Sequence, residues 1–155
     1  MRPLVVLPTY NEAENIIEVL DKTREAAPEA EVLVVDDGSP DGTADIAERW
    51  GREHGGLNVL RRTKKSGLGS AYRAGFTEGL KQGYDILIEM DSDLSHDPSA
   101  LPSLIHAVED GVSLAIGSRY VPGGTIPNWK WHRKALSRWG NRYAGLVLAL
   151  SLIHI

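Results

Sequence analysis

The chain has 155 residues and no cysteine, which excludes disulfide staples, thiol nucleophiles and cysteine-ligated zinc. A single domain of this length buries roughly 70% of the surface its unfolded form exposes, so it needs no staple. Neither a G-x-x-x-x-G-K-[ST] loop nor a G-x-S-x-G elbow occurs, which sets aside P-loop chemistry and the hydrolase triad. The histidines at positions 54, 96, 106, 132 and 154 are scattered without zinc-site spacing. No secretory signal opens the chain, since Met1-Arg2-Pro3 runs straight into a short apolar run ended by Pro8, and the N-terminus reads as cytosolic. The longest apolar stretch, Ala144–Ile155, is interrupted by Gly145, Ser151 and His154 and falls short of the ~20 residues that span a bilayer.

Acidic side chains are absent from residues 111–155, which carry six basic ones. Residues 1–110 hold 11 basic against 21 acidic side chains, a balance of −10 that the overall −4 conceals. The net charge argues against nucleic acid as a partner, but the C-terminal part is of a different electrostatic class. There Trp129, Trp131 and Trp139 interleave with Lys130, Arg133, Lys134, Arg138 and Arg142. The chain therefore divides into a core over 1–128 and a basic, Trp-rich amphipathic segment over 129–155.

Short β-branched runs alternate with longer amphipathic segments, the pattern of an α/β fold with a parallel sheet. Strands are predicted at Leu4–Leu7, Glu31–Val35, Asn58–Arg61, Ile86–Met90 and Val112–Ser118. The apolar spacing of Ile16, Ile17, Val19 and Leu20 predicts a first helix, with Asn11 opening a capping-box-like start. Further helices are predicted over Thr43–His54, Ser70–Gln82 and, after Pro98 and Pro102, Leu104–Val108. Val121–Trp129, rich in Gly and Pro, reads as a loop, and Trp131–Leu150 reads as a helix with one apolar and one cationic face.

In open parallel sheets ligands bind beyond the carboxyl ends of the strands, and the polar motifs fall there. Pro8–Glu12 follows the first strand, Asp36–Gly42 the second, Asp91-Ser92-Asp93 the fourth and Arg119 the fifth. Asp91 and Asp93 close an apolar strand, where unpaired carboxylates are costly to bury. Mg²⁺ or Mn²⁺ suits them, because such ions take few protein oxygens and share substrate phosphates. Asp36 or Asp37, in a turn eased by Gly38 and Gly42, can accept hydrogen bonds from ribose hydroxyls or a base edge. Tyr10 can stack on a base and Glu12 can bond its edge. The run Gly67-Leu68-Gly69-Ser70-Ala71-Tyr72 is no dinucleotide fingerprint, since Tyr72 replaces the third glycine and the run follows the third strand. It reads as a helix N-terminus with Lys64 or Lys65 near phosphate.

The motifs PTYNE at Pro8–Glu12, VVDDGSPDGT at Val34–Thr43, GLGSAYRAG at Gly67–Gly75, MDSDLSHDP at Met90–Pro98 and GSRY at Gly117–Tyr120 closely resemble those of polyprenol (dolichol) phosphate mannose synthases, inverting family 2 glycosyltransferases. The resemblance keeps the family's order and spacing over nearly the whole chain. It implies a GT-A fold, a Rossmann-like three-layer sandwich around a mostly parallel sheet. It further implies GDP-mannose as donor, a polyprenyl phosphate as acceptor and a Mg²⁺ or Mn²⁺ cofactor. By motif, Pro8, Tyr10, Glu12 and one of Asp36 or Asp37 match the nucleoside pocket, and Asp91 and Asp93 the metal and diphosphate site. Arg119, Arg133 and Ser137 match positions that handle donor and acceptor phosphates. Ser95 stands where some members place a glutamine metal ligand. The family's catalytic domain continues with further core elements, so the resemblance reads this chain as most of one domain with its end removed.

The implied reaction joins an acceptor phosphate oxygen to the mannose anomeric carbon with inversion, with Asp93, Arg119 and Arg133 in the catalytic roles. The basic segment would lie against an anionic membrane surface on its cytoplasmic face, peripherally or anchored through parts absent from this chain. A polyprenyl-phosphate glucosyltransferase using UDP-glucose and a catalytically silent nucleotide-binding module are the alternatives that share these residues.

Overall fold

A computed structural model describes residues 1–117 together with 131, 136, 137, 139, 140, 142 and 143. Four parallel strands, β1 (Pro3–Thr9), β2 (Glu31–Asp36), β3 (Leu57–Arg61) and β4 (Ile86–Glu89), form one sheet in the order β3-β2-β1-β4. The helices are α1 (Ile16–Ala26), α2 (Thr43–His54), α3 (Leu68–Lys81) and, after a 3₁₀ turn at Pro98–Ala100, α4 (Leu101–Glu109).

Successive side chains of a strand point to opposite faces, and here both faces are apolar, as a parallel sheet covered on both sides requires. Val5, Leu7, Val32, Val34, Ile86 and Ile88 pack with Ile16, Val19 and Leu20 of α1, Ala47 and Trp50 of α2, and Leu101 and Ile105 of α4. Leu4, Val6, Leu33 and Val35 face the other way, onto Ala71 and Tyr72 of α3. The result is three layers, with α3 alone beneath the sheet among the described helices. Two glycines let α3 sit close: a Cβ at Gly75 would overlap the Val6 side chain, and one at Gly79 would come within 2.7 Å of Leu4 and 2.8 Å of Leu87.

The α/β reading holds for the four strands and their helices, with ends shifted by up to a few residues. Two expectations fail. Asn11 does not cap α1: it lies at φ 61°, and the helix starts at Ile16 behind Asn15. Its neighbourhood is bonded across space instead, which takes the local capping role away. Residues 112–117 form no strand, and Leu114 and Ile116 are exposed. Among the described residues the sheet ends at β4, and β propensity without a ladder partner does not make a strand. Ser118, the loop 121–129 and much of the predicted helix 131–150 lie outside the described residues. The described positions 131, 136, 137, 139, 140, 142 and 143 are helical.

Candidate active site

β1 lies between β2 and β4, and at the usual strand spacing the carboxyl ends of β2 and β4 stand about 10 Å apart. The first two loops are sewn together. The amides of Asn11, Glu12 and Ala13 donate to Ser39 Oγ, Thr43 Oγ1 and Asp41 Oδ2, each at 3.0 Å. Asp41 Oδ1 also accepts the Thr43 amide at 3.1 Å, so Asp41 serves the start of α2 and the first loop at once.

Asp36 and Asp37 are both buried but differ in spare capacity. Asp36 Oδ1 accepts from the Thr9 and Ser39 hydroxyls, and its Oδ2 from the Gly38 and Ser39 amides. Four donors fill the lone pairs of a carboxylate. Among the described residues Asp37 Oδ2 accepts the Ser66 amide alone, at 3.1 Å. Its Oδ1 lies 2.9 Å from Arg62 Nη1; neither atom meets a well-directed hydrogen bond, so the contact is ionic. Arg62 also donates through Nη2 to Ser70 Oγ at 2.8 Å, tying the end of β3 to the first turn of α3. Lys65 Nζ sits 4.0 Å from the centre of the Tyr10 ring, a cation–π distance.

At the end of β4, Ser92 buries its hydroxyl against the Pro8 carbonyl at 2.8 Å, while Asp91 is half-buried and Asp93 exposed. The Tyr72 hydroxyl donates to Asp91 Oδ1 at 2.8 Å. The Asp91 amide donates to His96 Nδ1 at 3.1 Å, with His96 Nε2 3.7 Å from Asp91 Oδ2. Burial, and after it the hydrogen bond to Asp91, pushes the Tyr72 phenol far above its ordinary pKa, so it stays a donor. Ser95 beside Asp93 holds that carboxyl below the usual range. Asn11 and Leu94 are the non-glycine residues with positive φ among those described, at 61° and 59°. Both stand in loops at strand carboxyl ends, where strained backbone accompanies function.

Among the described residues no group of three or more His, Asp or Glu side chains is placed to cage a metal. Two neighbouring carboxylates at a strand end do fit Mg²⁺ or Mn²⁺, which keep waters and complete their shell with substrate phosphate oxygens.

Pro8, Tyr10, Glu12, Asp36, Asp37, Asp91 and Asp93 thus come together along one rim. Pro8 is buried and offers only its carbonyl to Ser92, and Glu12 Oε2 accepts from the Asn15 amide group at 3.1 Å. Ser137 is half-buried in the helical segment, and Arg119 and Arg133 lie outside the described residues. Sequence reasoning missed Arg62 and Tyr72. Arg62 follows a strand whose end faces an acidic turn, and Tyr72 breaks a glycine pattern; both were signals.

The sequence model of Glycosyl transferase family 2 matches residues 4–153. The chain is 49% identical over 152 residues to the polyprenol monophosphomannose synthase of Mycolicibacterium smegmatis, covering 97% of this chain and 57% of that one. It is 51% identical over 155 residues to the undecaprenyl-phosphate mannosyltransferase of Micrococcus luteus, covering all of this chain and 63% of that one. The chain therefore spans about three-fifths of the length of these relatives. Its fold is similar to that of the mannosyltransferase PcManGT from Pyrobaculum calidifontis, solved with GDP-Man and Mn²⁺. The TM-score is 0.63 at 28% identity, over 77% of this chain and 37% of that one. The architecture is the GT-A one.

Proposed function

The chain belongs to Glycosyl transferase family 2, and on that footing we propose that it transfers mannose from GDP-mannose to a polyprenyl phosphate, giving the β-linked product by inversion. One observation carries the reading: the saturated Asp36 turn and the open Asp91/Asp93 pair share one rim, in a chain about half identical to two polyprenyl-phosphate mannosyltransferases.

The nucleoside lies over Tyr10, Glu12 and Asp37, while Asp36, with no acceptor left, holds the turn in shape. Asp91 and Asp93 would hold a Mg²⁺ or Mn²⁺ ion, which would supply positive charge against that of the diphosphate leaving group. The acceptor is a phosphate monoester with a second pKa of about 6, largely dianionic at neutral pH, and needs no general base. Its oxygen attacks the anomeric carbon, a C–O bond forms, and GDP leaves with the electron pair of the broken bond. Two anions must approach each other, and Arg119 and Arg133 suit that task because a guanidinium binds phosphate bidentately. Ser137 assists at the acceptor phosphate.

Among the described residues no helix is long and apolar enough to cross a membrane. In the helical segment Leu136, Trp139 and Tyr143 are exposed at i, i+3 and i+7, and the Trp139 and Tyr143 rings stack at 5.5 Å. Exposed aromatic and apolar side chains within a basic stretch of sequence suit the headgroup layer of an anionic membrane and argue against packing of Leu136, Trp139 and Tyr143 on the sheet. The cytoplasmic face is the side where GDP-mannose is expected. The division at residue 128 into catalytic core and membrane-facing segment follows the same logic.

The test is transfer of labelled sugar to a polyprenyl phosphate from GDP-mannose and from UDP-glucose, with Mn²⁺ or with a chelator. Metal-dependent use of GDP-mannose is expected. Exclusive use of UDP-glucose overturns the donor, and nucleotide binding without transfer by a chain extended to its relatives' length makes it a silent module. Sedimentation with anionic vesicles should weaken when Arg133, Arg138 and Arg142 become Gln; unchanged partitioning overturns the membrane face.

A further inference from the structure

The hydroxyl of Tyr72 takes no direct part in the proposed transfer. Its ring fills the smaller core beneath the sheet with Leu4, Val6, Leu33 and Val35, and the residue is 7% exposed. Its oxygen nonetheless reaches Asp91 Oδ1 at 2.8 Å. This reach depends on the close seat of α3, because Gly75 and Gly79 bring the helix onto Val6, Leu4 and Leu87 where any side chain would hold it off. Among the described residues Asp91 Oδ2 accepts no hydrogen bond; it lies 3.7 Å from His96 Nε2. The two oxygens are therefore unequal: one is fastened from below and one is open.

We propose that Tyr72 is a positioning residue that fixes the Asp91 carboxylate in one rotamer, with Oδ2 presented to the divalent ion and Oδ1 withheld. The inference rests on the proposed metal role of Asp91. A carboxylate locked by a partner outside the coordination shell loses less freedom when it ligates, and removing such partners typically weakens metal affinity 10–100-fold. Phe at position 72 keeps the ring and its packing and deletes only the donor, so the core is preserved.

The experiment is Mn²⁺ titration followed by electron paramagnetic resonance, with saturating GDP, on the wild-type chain and on Tyr72→Phe, Asp91→Asn and the double variant. Thermal unfolding is recorded alongside. Tyr72→Phe should weaken Mn²⁺ binding about tenfold while leaving metal-free GDP binding unchanged, and should add nothing in the Asp91→Asn background. Mn²⁺ affinity within twofold of wild type, whatever the melting temperature does, overturns the inference and leaves a purely structural tyrosine. A wild-type chain that binds GDP but no Mn²⁺ overturns the metal reading and this inference with it. Should Tyr72→Phe fail to fold, ¹³Cζ-labelled tyrosine in the wild-type chain carries the same test. The Tyr72 resonance should shift when Mg²⁺ joins GDP, and an unmoved resonance is contrary.

Discussion

Two acidic pairs close the strands on either side of β1 in the same sheet and meet opposite fates. After β2, Asp36 and Asp37 are buried at 2% and 5% exposure, one filled by four donors and the other held by Arg62 and the Ser66 amide. After β4, Asp91 is half-buried with one donor on its carboxylate, and Asp93 is exposed. A carboxylate whose lone pairs are all occupied shapes a loop, and one with lone pairs to spare can meet a ligand. The partners decide the role, since the residue type and its place at a strand end are the same.

The sharpest way to break this comparison is to exchange the expected phenotypes. Asp93→Asn should lower transfer about a thousandfold, roughly 4 kcal/mol of barrier. Because the side chain is exposed, urea unfolding should move by less than about 0.5 kcal/mol. Asp36→Ala should do the reverse in kind, costing about 3 kcal/mol of stability by stranding the Thr9 and Ser39 donors; a midpoint close to wild type would dissolve the distinction. Arg62→Ala leaves Asp37 buried without its ion and should cost about 2 kcal/mol. Asp37→Asn in the same chain should recover part of that loss, and a full, additive loss in the double variant would show that the pair is not coupled.

The smallest effect concerns pH. Ser95 lowers the Asp93 pKa in the folded state, so this group's stabilisation is complete above the ordinary value of 3.8 and is lost as pH falls through the lower folded value. The pH dependence of the urea midpoint below pH 4 should be slightly shallower in Asp93→Asn than in wild type. An identical slope would mean that Ser95 does not hold the carboxylate in solution.

The strands were legible because each is a short β-branched run bounded by turn residues, and apolar character on both faces follows from a sheet covered on both sides. The site was legible as strand-end motifs, since a parallel sheet sends every such motif to one rim. What sequence could not separate was Asp36 from Asp37. That difference depends on Thr9, 27 residues away, and on Arg62, just past the end of β3, contacts that chain order does not display. Asn11 misled for a related reason: a local capping pattern lost to bonds that the amides of Asn11, Glu12 and Ala13 donate to Ser39, Thr43 and Asp41 across the crevice. Residues 112–117 have strand-like composition but no paired neighbour among the described residues, and composition carries no information about the neighbour.

Calorimetric titration of GDP-mannose into wild type and Asp93→Asn, each with and without Mn²⁺, bears most directly on the division between a shaping pair and a ligating pair. Mn²⁺ should tighten donor binding to the wild type and leave binding to the variant unchanged, with both proteins melting at the same temperature. Equal tightening by Mn²⁺ in the two proteins would contradict the account.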